Sequence, residues 1–294
     1  MSSAPSPDDP RNAGSAERAP DGTPDTPAAR PSSPERDVPP RKAPESATMR
    51  ADKSLALSLR SIYETFAISF PTVIDAARGR VRKSVCDDRL DRWSKAVVKH
   101  CGIDVEVTGR EHFVPGVTYL VMSNHQSLYD IPVLFYVLGP NVRMVAKKEL
   151  FRVPIFGAAI KEAGFIELDR GNRSRAIAAL EDAKRRLTEG VHVWIAPEGT
   201  RSKTGELLPF KKGGFNLALQ MGLPILPVTL RGTRDVLEAK GVRSRPNAKV
   251  HVTLHRSIDP TPYAKDPATG RSVVPGGRDQ LMRDVRAALE EGLG

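Results

Sequence analysis

Two cysteines, Cys86 and Cys101, are too few for a disulfide framework and too far apart for a short-spaced zinc or redox pair. Both are expected to be ordinary buried or half-buried thiols. Aromatic residues make up only 5% of the chain, and neither a Lys/Arg–Gly–aromatic run nor a Cys/His finger spacing occurs, which disfavours nucleic acid as a partner. No apolar run approaches the roughly 18–20 residues that a bilayer-spanning helix requires; the longest candidate, residues 131–138, falls far short. The first residues carry no basic stretch followed by an apolar one, so a secretory leader is not expected. Also missing are the G-x-S-x-G nucleophile elbow, the P-loop, the G-x-G-x-x-G fingerprint and the H-E-x-x-H helix. Serine hydrolase, nucleotide-dependent and zinc-peptidase chemistry are therefore disfavoured, and neither a metal nor a bound cofactor is expected.

What is present begins with charge. The 294 residues carry a formal net charge of +10, which favours anionic partners, a membrane surface above nucleic acid. Residues 1–50 hold close to half of the 25 prolines and almost no large apolar side chains. Such a stretch cannot offset its ordering entropy by burial, and it reads as a disordered tail. Residues 51–102 read as helical. Within them, residues 54–77 carry Leu55, Leu57, Leu59, Ile62, Phe66, Ile68, Phe70, Val73 and Ile74, interrupted by Arg60, Glu64 and Asp75, and Arg78, Arg80, Arg82 and Lys83 follow. Two readings stand side by side: a helix lying in the membrane interface beside anionic lipid, or an ordinary helix packed on the core.

From residue 103 to 294, β-branched runs alternate with helical stretches. Strands are expected at residues 103–107, 118–122, 142–146, 165–168, 191–196, 225–230 and 250–255, with helices near 128–138, 174–188, 214–221 and 278–291. This alternation predicts an α/β domain, a largely parallel mixed sheet flanked by helices, with functional residues where strands end and helices begin.

The sharpest local feature is Ser123-Asn124-His125-Gln126-Ser127-Leu128-Tyr129-Asp130, at the end of an expected strand. A histidine accepts protons near neutral pH, and a carboxylate on its other ring nitrogen fixes the tautomer. Positions five apart differ by about 140° on a helix, so the pair can meet only with His125 in the turn and Asp130 on the first helical turn, Ser127 being a candidate N-cap. By itself the spacing is common. Further blocks follow it: Gly164-Phe165-Ile166-Glu167-Leu168-Asp169-Arg170, then Pro197-Glu198-Gly199-Thr200-Arg201, then Leu223-Pro224-Ile225-Leu226-Pro227-Val228. Arg201 offers a planar fork suited to phosphate, and Gly199 lets backbone approach an anion. Glu198 either tethers Arg201 or shapes the loop. Pro224 and Pro227 frame a run that reads either as a block which the resemblance given below ties to ligand binding or to packing, or as a short core strand with an edge proline.

The ordered set resembles the four blocks of the glycerolipid acyltransferase family, over about residues 103–230. Lys147-Lys148-Glu149-Leu150 before Pro154-Ile155-Phe156-Gly157, and Phe210-Lys211-Lys212-Gly213, strengthen the likeness. The resemblance implies His125 as general base and Asp130 as its orienting partner. It further implies an acceptor phosphate held by Glu198, Gly199, Thr200 and Arg201, with Arg170 and one of Lys147 or Lys148, Lys147 being preferred, completing the pocket. The implied reaction moves a fatty-acyl group from acyl-CoA or acyl carrier protein, the thioester being a co-substrate, to a lysophospholipid hydroxyl at the cytoplasmic face of the cell membrane, the protein being peripheral or monotopic. The sn-2 hydroxyl of 1-acyl-sn-glycerol 3-phosphate is the preferred acceptor. Glycerol 3-phosphate, a lyso-aminolipid, another lysophospholipid or a non-catalytic membrane scaffold are the alternatives.

Overall fold

The computed structural model describes residues 52–169 and 173–294; the tail expected at residues 1–50 and the expectation for Arg170 lie outside them. Two helices come first, α1 (Leu55–Ala77) and α2 (Lys83–His100). Ser54 caps α1 by accepting from the Leu57 N–H at 3.4 Å. The Arg89 guanidinium of α2 reaches back to α1, 2.5 Å from Asp75 and 3.0 Å from the Thr72 hydroxyl.

Seven strands follow, β1 (Asp104–Thr108), β2 (Leu120–Ser123), β3 (Val142–Lys147), β4 (Ile166–Leu168), β5 (His192–Ile195), β6 (Ile225–Arg231) and β7 (Lys249–Leu254). They interleave with α3 (Asp130–Leu138), α4 (Phe156–Glu162), α5 (Arg173–Thr188), α6 (Lys212–Met221) and α7 (Thr233–Val236), and α8 (Gly277–Leu293) closes the chain. The sheet order is β1-β7-β6-β2-β5-β3-β4. Every pairing is parallel except β6 with β7. The expected α/β fold, a mostly parallel mixed sheet between helices, is the one observed.

Parallel strands covered on both faces read as unbroken apolar runs, and β2 and β6 are buried along almost their whole lengths. Successive side chains then sort to opposite faces. Leu120, Met122, Val193 and Ile225 meet α5, α6 and α8, whereas Val121, Trp194, Leu226 and Val228 belong to the cluster shared with α2 and α3. At the edge, β1 alternates between exposed and half-buried residues instead.

One expectation needs correction. Pro227 is not in an edge strand, because β6 lies between β2 and β7. It is tolerated one step beyond the last regular β6–β7 pair, Val228–Leu254, where the pairing calls on its carbonyl and not on an N–H. There its carbonyl accepts from the His255 N–H at 3.0 Å.

Candidate active site

Beyond the carboxyl end of β2, the Asn124 side chain imitates one more rung of the ladder. Its amide donates to the Leu230 carbonyl and its carbonyl accepts from the Leu230 N–H, both at 2.8 Å. The chain is thereby anchored immediately before His125. The His125 N–H donates to Glu198 Oε1 at 2.8 Å, and its carbonyl accepts from the Ser202 N–H at 2.7 Å.

Asp130 opens α3 and is fully buried. Its Oδ2 lies 2.7 Å from His125 Nδ1 and accepts the N–H groups of Gln126 and Ser127 at 2.7 and 2.9 Å. Oδ1 accepts from the Thr233 hydroxyl at 2.5 Å. A carboxylate at a helix amino terminus also meets the favourable end of the helix dipole. Ser127 is not the N-cap, as the sequence suggested. Tyr129 occupies that position without a side-chain cap; the Ser127 hydroxyl donates to the Leu237 carbonyl at 2.7 Å and accepts from the Tyr129 N–H at 3.2 Å. The turn-then-helix placement nevertheless brings His125 and Asp130 together.

With Nδ1 engaged by the carboxylate, the neutral ring carries its proton there and leaves the Nε2 lone pair available. The side chain retains 17% of its exposure, and Nε2 has no hydrogen-bond partner among the described residues. Trp194 meets the ring edge-on, centroids 5.7 Å apart at 89°, and its indole N–H donates to the Ser123 hydroxyl at 2.9 Å. Sequence reading did not single out Trp194. Its strand position, paired with Val121 of β2 just before the Glu198 block, was the available signal.

Gly199, at φ +72°, makes the tight turn of that block, donating to the Ala196 carbonyl at 3.0 Å. Glu198 shapes the loop and does not tether Arg201: its second oxygen accepts from the Leu208 N–H at 2.9 Å. Burial pushes the Glu198 carboxyl above its ordinary range, opposed by these two N–H bonds. Thr200 is exposed. Arg201, half-buried and adjacent to the Ser202 N–H that binds His125, forms no hydrogen bond or ion pair among the described residues.

Lys147 ends β3 on the same sheet edge, exposed and 3.5 Å from Glu149. It stands two strands from β2, about 10 Å away at normal strand spacing. Lys148 bonds Asp169 at 2.8 Å. The structure thus gathers His125, Asp130, Glu198, Gly199 and Arg201, with Thr200 at the surface and Lys147 farther along the edge.

An apolar cavity of about 550 Å³ lies against the same turn, lined by Leu128 and Tyr129 together with Leu59, Trp93, Met144 and Phe165. Small-molecule sites span about 300–1,000 Å³, so its size and lining suit an aliphatic chain.

A family model described as Acyltransferase matches residues 104–231. The 1-acyl-sn-glycerol-3-phosphate acyltransferase alpha of Mus musculus is 36% identical over 196 residues, 66% of this chain and 67% of that one. The 1-acyl-sn-glycerol-3-phosphate acyltransferase of Haemophilus influenzae is 36% identical over 148 residues, 50% of this chain and 60% of that one. The chain spans about half the length of several other curated relatives. Among solved structures, the 1-acyl-sn-glycerophosphate (LPA) acyltransferase of Thermotoga maritima superposes with a TM-score of 0.64 at 28% identity, covering 81% of this chain and 95% of that one.

Proposed function

The chain belongs to the glycerolipid acyltransferase family, and from that membership we propose that it moves a fatty-acyl group from acyl-CoA or acyl carrier protein to the sn-2 hydroxyl of 1-acyl-sn-glycerol 3-phosphate, forming phosphatidic acid. The observation that carries this reading is the His125 Nε2 lone pair, held open by a buried carboxylate on Nδ1, with Arg201 immediately before the Ser202 N–H that binds the His125 carbonyl. His125 takes the hydroxyl proton as that oxygen attacks the thioester carbonyl. The carbon–sulfur bond then breaks, and the departing thiolate takes the proton from the imidazolium. A thioester is already activated, so no acyl-enzyme is required. Thr200 and Arg201 bind the acceptor phosphate with the Gly199 backbone, Lys147 adds positive charge at longer range, and Arg170 supplies a further positive charge. Glu198 acts through the loop it fixes.

Purified protein given lysophosphatidate and acyl-CoA tests the reading. Arg201→Ala is expected to raise the KM for lysophosphatidate about 10- to 100-fold, the loss of one or two charge-assisted hydrogen bonds, and to leave any turnover of monoacylglycerol unchanged. Equal losses on both acceptors would remove the phosphate role. Absence of turnover with lysophosphatidate, but turnover with another lysolipid, would move the acceptor.

The reading also places the protein on the cytoplasmic membrane face, peripheral or monotopic. No helix among the described residues is long and apolar enough to cross a membrane. Yet α1 is inverted relative to a water-facing helix. Leu55, Leu59, Ile62, Tyr63, Phe66 and Phe70 are exposed, while Ser69 and Thr72 are buried. The inward hydroxyls of Ser61, Thr65, Ser69 and Thr72 are satisfied by carbonyls four residues earlier, at 2.7–3.1 Å. An apolar outer stripe followed by a basic cluster is the composition of an interfacial helix beside anionic lipid. Pelleting with anionic liposomes is expected, and the double change Leu59→Glu with Phe70→Glu should abolish it. Undiminished pelleting of that variant would shift the contact to another surface.

A further inference from the structure

A second cavity, of about 630 Å³, opens on the other side of the His125 turn. Its walls are the 204–207 segment, the turn at Gly232 after β6, and the last turns of α8. Gln126, immediately after His125, lines it, whereas Leu128 and Tyr129 line the apolar cavity. The five-residue turn therefore divides two spaces of opposite character. No residue of α1 or α2 lines the second one, so the apolar stripe forms no part of its wall.

We propose that this polar cleft binds the phosphopantetheine arm of the acyl thioester, an inference that rests on the acyl-transfer reading above. Three arginines, Arg231, Arg234 and Arg286, face three carboxylates there, Glu206, Asp235 and Glu290. A balanced lining of this kind does not concentrate a highly charged headgroup; it supplies interleaved donors and acceptors. Arg286 is already spent on the Leu207 and Leu208 carbonyls and on Glu290 at 2.8 Å. The Arg231 side chain has no hydrogen bond or ion pair among the described residues. Arg234 donates through Nη1 to the Thr204 carbonyl at 2.7 Å, while its buried Nε has no partner.

A phosphopantetheine arm matches that inventory. Its single phosphate takes the Arg231 fork, and its amide N–H groups and hydroxyl find Glu206 and Asp235. Its sulfur end then arrives beside Gln126, one residue from the base. The apolar cavity and Arg201 stay free for the lipid. Coenzyme A and acyl carrier protein share this arm, so the cleft serves either donor.

The test compares Arg231→Glu and, at an exposed loop position, Thr204→Trp with the unaltered protein, each checked by thermal melt. Both changes are expected to raise the KM for acyl-CoA and for acyl carrier protein about tenfold, the size of one charge-assisted contact, with the KM for lysophosphatidate unchanged. The Arg231→Glu effect should vanish with acyl-pantetheine, which lacks the phosphate. In the unaltered protein, desulfo-CoA should slow hydrogen exchange across residues 204–208 and 231–235. Unchanged thioester KM in both variants, a rise confined to acyl-CoA, or exchange protection elsewhere would each overturn the assignment. An unaltered protein that turns over no lysophospholipid with any thioester would instead sink the acyl-transfer reading itself.

Discussion

His125→Ala is expected to lower kcat with lysophosphatidate and acyl-CoA by about 10²–10⁴-fold, the range that a positioned general base contributes, with little change in thermal stability. The two effects separate because the ring is partly exposed while its backbone carries the structural load. The His125 N–H and carbonyl still bind Glu198 and Ser202 after truncation, and Asp130 keeps the Gln126, Ser127 and Thr233 donors. Only the Nδ1 contact and the edge-on packing against Trp194 are lost. Initial rates beside a thermal melt make the comparison. A folded His125→Ala protein that turns over at the normal rate would end the general-base mechanism.

Asp130 is expected to fail in two distinguishable ways. In Asp130→Asn the amide oxygen can keep the Oδ2 position and its three N–H donors, while the new NH2 group faces the Thr233 hydroxyl, which can rotate to accept. The fold should survive, but a neutral amide no longer stabilises the imidazolium, so kcat should fall about 10²–10⁴-fold. Asp130→Ala leaves four donors without an acceptor in a fully buried site. It should therefore also lose about 3–5 kcal/mol of stability. Denaturant unfolding of both variants beside their kinetics tests this. Normal kcat in Asp130→Asn would reduce the carboxylate to a purely structural part, and a normal unfolding midpoint in Asp130→Ala would contradict the burial argument.

The sheet was legible because its central strands are buried on both faces and must be spelled in continuous apolar, β-branched residues. All seven strands fall within about two residues of the expected positions. Two helices escaped sequence reading for lack of length: α4 has seven residues and α7 has four, too few to show a 3.6-residue period. At the site, His125, Asp130 and the 197–201 block were legible from local order. Their supports were not, since the Thr233 hydroxyl on Asp130 and the Leu230 backbone on Asn124 come from more than 100 positions away. The polarity of α1 was ambiguous for another reason. Its apolar residues follow a helical period whichever way they point, and only packing decides which stripe faces outward.

Glu198 and Ser202 grip the backbone of His125 from both sides, with Arg201 between them in sequence. The base and the backbone at residue 201 are consequently parts of one hydrogen-bonded piece, from which the Arg201 side chain projects. Under the proposed function, a phosphate held by Arg201 is tethered to the same backbone piece as the base, so acceptors whose hydroxyl and phosphate stand within the reach of that one side chain are favoured.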